Sequence, residues 1–232
     1  AASNTNTNTS ISWLYDGTAP TMAITASEVS DGGTSNDGTL SLTFTSSEST
    51  SNFLVGDITV NGGALSSFAG SGTTYTATFT PSASGATTID VASSKFTDAA
   101  GNNNTAATQF NWTYDPSAPT VTLTSTASVF SGLFTVTATF SEAVTGFEVG
   151  DITVGNGSAS NFDDTAAPVY TFDVTPTADG AVTVDVAGSV AIDAAGNNNT
   201  AATQLSVTAD ATPPTVTLTG PSDEVVTDDF IV

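Results

Sequence analysis

Twelve consecutive residues, DAAGNNNTAATQ, occupy 98–109 and return unchanged at 193–204. No other feature of the chain constrains its fold as strongly, because a long exact repeat means that one structural unit is built twice. The shift is 95 residues, and a second echo, VGDITV at 55–60 and 149–154, gives 94. A proline-bearing phrase occurs three times, as YDGTAP from Tyr15, YDPSAP from Tyr114 and ADATPP from Ala209. Its aspartates, Asp16, Asp115 and Asp210, lie 99 and 95 residues apart, which is the length of one small domain and predicts two complete repeats, 17–115 and 116–210. Residues 1–16 then read as the last strand of a preceding repeat, since ISWLYD lines up with FNWTYD. Residues 211–232 read as the start of a following repeat, with TPPTVTLTG echoing SAPTVTLTS. The chain is expected to be a window on a longer array.

Within each repeat apolar residues alternate with Thr or Ser at period two, the pattern of strands with one face buried and one in water. In the second repeat TVTLTS (120–125), FTVTATFS (134–141), DITVGN (151–156), GSASNF (157–162), VYTFDVT (169–175), AVTVDVA (181–187) and QLSVTA (204–209) read as strands. The first follows the same course, with an acidic insertion, VSDGGTSNDGT (29–39), at its opposite pole facing the next junction, read as a longer hairpin loop in preference to a source of added ligands from Asp31 and Asp37. Seven short strands separated by Gly, Pro, Asn and Asp turns predict an all-β fold, tandem immunoglobulin-like antiparallel β-sandwiches arranged end to end. Propeller blades of about 40–50 residues and solenoid coils of about 20–30 do not fit the period.

Composition narrows the chemistry. There is no His and no Cys, so an imidazole base, a thiol nucleophile, a disulfide and the ligands of a zinc or iron–sulfur site are all missing. Twenty-three acidic residues against one basic residue, Lys95, give a net charge of −22. A field of that sign repels nucleic acid and anionic membranes, and no apolar run approaches the roughly 18 residues of a membrane helix, so neither nucleic-acid binding nor membrane insertion by this segment is expected.

The residues SAPTVTLTS, FSEAVTGFEVGDITV and IDAAGNNNTA of the second repeat resemble the signature of the bacterial immunoglobulin-like repeats strung together in large secreted surface adhesins. The first repeat keeps the linker, VGDITV and TDAAGNNNTA, and has SSESTSNF in place of FSEAVTGF. The resemblance covers essentially the whole chain. It implies an extracellular, cell-surface module, and it fits stalks of adhesins, accessory modules of secreted enzymes and building blocks of surface filaments alike.

In a seven-strand sandwich of this order the loops after the second and sixth strands open at the pole where the chain enters. Acidic residues gather there. The set is Asp115, Glu142, Asp151, Asp193 and Asn197 in the second repeat, and Asp16, Glu48, Asp57, Asp98 and Asn102 in the first, with Asp210 as the next linker aspartate. Several carboxylates within reach of one another repel unless a cation lies among them, and oxygen donors from flexible loops suit Ca²⁺, which takes 6–8 of them, better than Mg²⁺. The same aspartates also suit tight turns, in which an Asx side chain accepts a backbone N–H two residues on and Gly101 or Gly196 supplies positive φ. Both readings stand on the sequence.

A pair of carboxylates also fits glycoside hydrolysis. Its repetition beside two domain joints argues against that, and Trp13 and Trp112, alternating with other aromatics in a final strand, read as core. The expected function is a non-enzymatic spacer of an extracellular bacterial adhesin, its repeats joined to neighbouring repeats of the same chain and stiffened by calcium at the junctions. The alternatives are a subunit that meets other copies in a surface filament or layer, and an accessory module of a secreted polysaccharide-degrading enzyme.

Overall fold

The computed structural model describes residues 11–219. By contacts the chain divides into two compact units, one running to Thr120 and taking in Phe140–Phe147 and Gly188–Thr200, the other made of Val121–Thr139, Glu148–Ala187 and the residues from Ala201 on. The pole loops of the second repeat therefore group with the first repeat and its linker.

The first repeat is built from β1 (Met22–Ala26), β2 (Gly33–Ser35), β3 (Leu40–Thr50), β4 (Ile58–Asn61), β5 (Gly63–Pro81), β6 (Gly85–Val91) and β7 (Phe110–Tyr114). One sheet has the order β1-β3-β5 and the other β2-β7-β6-β4. β5 turns back on itself at Gly70 and Gly72, both at positive φ, so that the Ser66 hydroxyl reaches the Thr78 carbonyl at 3.5 Å. Alternation decides which face is inside: Leu40, Leu42 and Phe44 on β3, Tyr75, Ala77 and Phe79 on β5, Ile89 and Val91 on β6, and Phe110 and Trp112 on β7 form one buried cluster. Trp112, 1% exposed, is the largest side chain in it, and its indole N–H donates to Ser35 Oγ at 3.1 Å.

The second repeat follows the same plan with β8 (Val121–Ser125), β9 (Val129–Phe130), β10 (Phe134–Phe140), β11 (Ile152–Gly155), β12 (Gly157–Ala166), β13 (Val169–Pro176), β14 (Gly180–Val186) and β15 (Leu205–Ala209). Its sheets run β12-β13-β10-β8 and β11-β14-β15-β9. Val136, Phe172, Val174, Val182 and Val184, each at most 1% exposed, mark the inward positions. These two-sheet arrangements are the immunoglobulin-like sandwiches expected.

Three features depart from the expectation. Each repeat contains one parallel pair, β2 with β7 and β9 with β15, because the chain leaves the first sheet after its first strand and crosses to the edge of the other. The insertion 29–39 is thus not a hairpin loop but carries that crossing strand, and Asp31 pins it by accepting the Asn111 N–H at 2.7 Å. In addition, residues 11–16 form no strand, and Trp13 is 80% exposed, whereas its counterpart Trp112 is core. A strand is made by its neighbour, and no strand lies beside 11–16 among the described residues. Residues 211–219 likewise form no strand, and the readings placed on 1–10 and 220–232 lie outside the described residues.

Candidate cation sites

Two trios of carboxylates come together: Asp16 with Glu48 and Asp98, and Asp115 with Glu142 and Asp193, one oxygen from each lying within 4.8 Å of the others. All six belong to the first compact unit. Each trio draws on a linker, the end of the second long strand and the loop after the strand that precedes the last.

The linker aspartates are set by their own turns. Asp16 Oδ1 accepts the Thr18 N–H at 3.0 Å, Asp115 Oδ1 the Ser117 N–H at 3.0 Å and Asp210 Oδ1 the Thr212 N–H at 3.2 Å, so the turn occupies one oxygen of each carboxylate. The DAAGN loops are tighter. Asp193 Oδ1 accepts the backbone N–H groups of Ala195 and Asn197, both at 2.8 Å, and Asp193 Oδ2 accepts Asn197 Nδ2 at 2.9 Å. Asp98 accepts the Asn102 backbone N–H and Nδ2, each at 2.8 Å. Gly101 and Gly196 close these loops at φ +94° and +93°, where a side chain would be strained.

Asn102 and Asn197 orient the loop carboxylates through their Nδ2 groups. Besides holding the loop carboxylate, Asn102 Nδ2 donates to the Asp16 carbonyl at 3.1 Å and Asn197 Nδ2 to the Asp115 carbonyl at 2.8 Å, fastening linker to loop. Asn197 Oδ1 is taken by Asn36 Nδ2 at 3.0 Å.

Two expected ligands in each repeat part company here. Glu48 and Glu142 join the trios, but Asp57 and Asp151 do not. Each closes a single 3₁₀ turn, Asp57 Oδ2 accepting the Leu54 N–H and Asp151 Oδ2 the Glu148 N–H, both at 2.8 Å. Asp210 stands in no trio among the described residues; its carboxylate holds its own turn, and its N–H donates to the Phe130 carbonyl at 2.8 Å.

The electrostatics separate the members. Glu142 is pushed above the ordinary carboxylate range by loss of water and then by the charges of Asp193 and Asp115. Glu48 moves the same way through loss of water, Asp16 and Asp98. Asp98 is held below its usual value, chiefly by the Asn102 side chain. For Asp193 burial pushes upward, but the hydrogen bonds from Asn197, Ala195 and Gly196 outweigh it and the net shift is downward. Every trio thus has one carboxylate stabilised as an anion and one made uncomfortable by its neighbours.

Turn chemistry accounts for the hydrogen bonds of Asp98 and Asp193 in full. It does not account for a glutamate from another strand brought against them. The donor set is all oxygen, and oxygens within 4.8 Å of one another are close enough to share one Ca²⁺ at 2.3–2.6 Å. Asp16, Glu48 and Asp98, and Asp115, Glu142 and Asp193, would hold such an ion.

The asparagines that matter most structurally were not evident in the sequence. In GNNN the third Asn is buried: Asn104 Oδ1 accepts the N–H groups of Lys95 at 2.7 Å and Phe96 at 3.0 Å, while its Nδ2 donates to the Ala92 and Thr105 carbonyls. Asn199 does the same for Val190 and Ala191. Three identical letters in a row hide which one faces inward.

Two tandem immunoglobulin-like sandwiches, each with a carboxylate trio at one pole, define a modular protein. The chain belongs to the bacterial Ig-like domain family, whose model matches residues 16–114 and 115–209. Among solved structures it is similar to FdeC, an adhesin of Escherichia coli, at 15% identity over 81% of this chain and 63% of that one, with a TM-score of 0.44. Yersinia pseudotuberculosis InvD matches at 20% identity over 86% of this chain and 60% of its own, TM-score 0.41. Invasin, a bacterial integrin-binding protein, matches at 16% over 71% and 36%, TM-score 0.39. The chain spans about three fifths of the length of the first two of these structures. No curated protein sequence matches.

Proposed function

We propose that this chain is a non-enzymatic spacer of an extracellular bacterial surface adhesin, with repeats bounded at 17–115 and 116–210, and that Ca²⁺ at the acidic pole of each repeat ties the incoming linker to the loops. The observation that carries the reading is the recurrence of one carboxylate trio at the same place in both repeats, Asp16–Glu48–Asp98 and Asp115–Glu142–Asp193. A catalytic pair is needed once, whereas a joint is needed at every repeat. Membership of the bacterial Ig-like domain family supports the surface setting. So does the scarcity of cationic residues, which leaves trypsin-like proteases a single target.

The test is thermal unfolding and calorimetric titration of the whole chain with Ca²⁺, with Mg²⁺ and in chelator. Ca²⁺ should raise the melting temperature and bind at two sites, Mg²⁺ should do so weakly, and Asp193→Ala and Asp98→Ala should each remove one site. Melting and titration that are indifferent to millimolar Ca²⁺ in the unaltered chain would sink the cation reading and leave the loops as turns.

A further inference from the structure

Asn–Gly, the dipeptide in which a side-chain amide is followed by the least obstructed backbone nitrogen, occurs twice, at Asn61–Gly62 and Asn156–Gly157. Both pairs lie at the turn that follows an ITV strand, and the fold treats them differently. Lining up the two VGDITV echoes puts Asn156 opposite Gly62, so the second repeat has its asparagine at the turn itself, at φ +57°, where the first has Gly62 at +80°. Asn61 comes one residue earlier, as the last residue of β4.

At the turn the Asn156 amide is held at both ends. Its Nδ2 donates to the Ala178 carbonyl at 2.9 Å and to the Ala181 carbonyl at 3.2 Å, and its Oδ1 accepts the Thr177 hydroxyl at 2.9 Å. The Asn156 carbonyl accepts the Thr177 N–H at 3.1 Å as well. Asn61 is paired with Thr88 across the sheet, and alternation along Ile58–Asn61 turns its side chain outward with that of Thr59, both exposed. The Asn61 amide has no hydrogen-bond partner among the described residues. β4 is also the edge of its sheet, β2-β7-β6-β4, so the end of this strand is paired on one side only.

We infer that Asn61 is a site of spontaneous deamidation in the native chain and that the fold protects Asn156 from the same reaction. The Gly62 backbone nitrogen gives its proton to solvent base and bonds to Asn61 Cγ. The adduct then breaks its bond to Nδ2, which takes a proton from water and leaves as ammonia, and a cyclic imide remains. One water adds to either ring carbonyl and breaks that carbon–nitrogen bond, leaving an aspartyl or an isoaspartyl link, and nothing is oxidised or reduced. Attack requires Asn61 to leave its extended backbone conformation, which is easiest at the end of an edge strand, where local opening costs least. At Asn156 the same movement breaks three side-chain hydrogen bonds, each worth a net factor of a few in the opening equilibrium. The new carboxylate stands opposite Thr88 and diagonal to Asp90, and an isoaspartyl link adds a methylene that the Asn61–Thr88 register does not accommodate. Neither carboxylate trio takes part, so the inference is independent of the calcium reading.

The experiment follows the whole chain in chelator at mildly alkaline pH and physiological temperature, once native and once unfolded in concentrated guanidinium, by mass spectrometry of chymotryptic peptides over time. The readout is the exchange of an amide for an acid at each asparagine, which the Asp–Gly links do not mimic because they isomerise without a change of mass. In the native chain Asn61 should convert at least about tenfold faster than Asn156, while in guanidinium the two should agree within about threefold, since both are then Asn–Gly in an open chain. Asn61→Ser should remove most of the ammonia that the native chain releases. Equal rates at Asn61 and Asn156 in the native chain, the native disparity surviving in guanidinium, ammonia release unchanged in Asn61→Ser, or a native Asn61 that stays an amide while the unfolded chain converts would each overturn the proposal.

Discussion

At the residue scale the Asn triplets decide more than the acids beside them. Asn104 satisfies two backbone donors and two acceptors around the buried Phe96, so removing its amide strands groups that each cost about 1–3 kcal/mol when left unpaired. Asn104→Ala should lower unfolding stability by at least about 3 kcal/mol in urea at unchanged slope, while Asn103→Ala, one residue away and exposed, should stay within about 0.5 kcal/mol. Equal effects would mean that the buried amide does not anchor the loop. The carboxylates of the trios carry a pH signature of two signs. Glu48 and Glu142 have folded values raised above those of the unfolded chain, so the folded state binds their protons more tightly and gains stability as pH falls toward the glutamate range. Asp98 and Asp193 have lowered values, and their contribution, present above the unfolded aspartate value of about 3.9, is lost as pH drops through the folded one. In chelator the melting temperature should therefore rise on mild acidification and fall again in strong acid. Glu48→Gln with Glu142→Gln should flatten the rise beyond what relief of the general negative charge produces, and an unchanged profile would remove these glutamates from the account.

At the element scale, cap and ligand are distinguishable although the sequence shows both as a lone aspartate before ITV. Asp57 and Asp151 close 3₁₀ turns with one charge-assisted hydrogen bond each, so Asp57→Ala and Asp151→Ala should each cost about 1 kcal/mol and leave any response to Ca²⁺ intact. Loss of the calcium response in either variant would return that residue to the ligand set. The long strands were legible because a half-buried strand writes period two into its residues, as in FTVTATF, where Phe134, Val136, Ala138 and Phe140 all lie inside. The crossing strands β2 and β9 were not. Three and two residues are too short to show a period, and their partner, the last strand, is some eighty residues away in sequence. Trp13 is exposed for a related reason: the alternation in ISWLY is that of a final strand, but burial also needs a sheet to lie against, and the described residues place none beside it. Of the candidate sites, the linker and loop aspartates could be read because turn chemistry and repetition mark them, and Glu48 and Glu142 because the sandwich order brings the second strand's end to that pole. The role of Asn36 had no local mark, since it arises only when a loop of one repeat meets a turn of the other.

At the scale of the whole molecule, a net charge of −22 carried with a single cation makes Lys95 the one point at which a lysine-specific protease can report on the fold. Lys95 is exposed, yet its own N–H and that of Phe96 are both held by Asn104, and Phe96 is 1% exposed. A protease needs an extended stretch on both sides of the scissile bond, so cutting requires the segment between β6 and β7 to open, and its rate follows the population of that opened form. Asp98 lies in the same segment, three residues on. If an ion ties Asp98 to Asp16 and Glu48, it binds the closed segment and not the open one, and the population of the open form drops by the factor 1 + [Ca²⁺]/Kd. A lysine-specific protease that does not itself need calcium should therefore cut the native chain once, into 1–95 and 96–232, and more slowly as Ca²⁺ is added. Asp98→Ala should abolish that protection, Asp193→Ala should leave it in place, and Asn104→Ala should accelerate cutting whether or not Ca²⁺ is present. Cleavage of the unaltered chain at one rate across the whole range of Ca²⁺ would show that the first trio holds no ion that matters to the segment it borders.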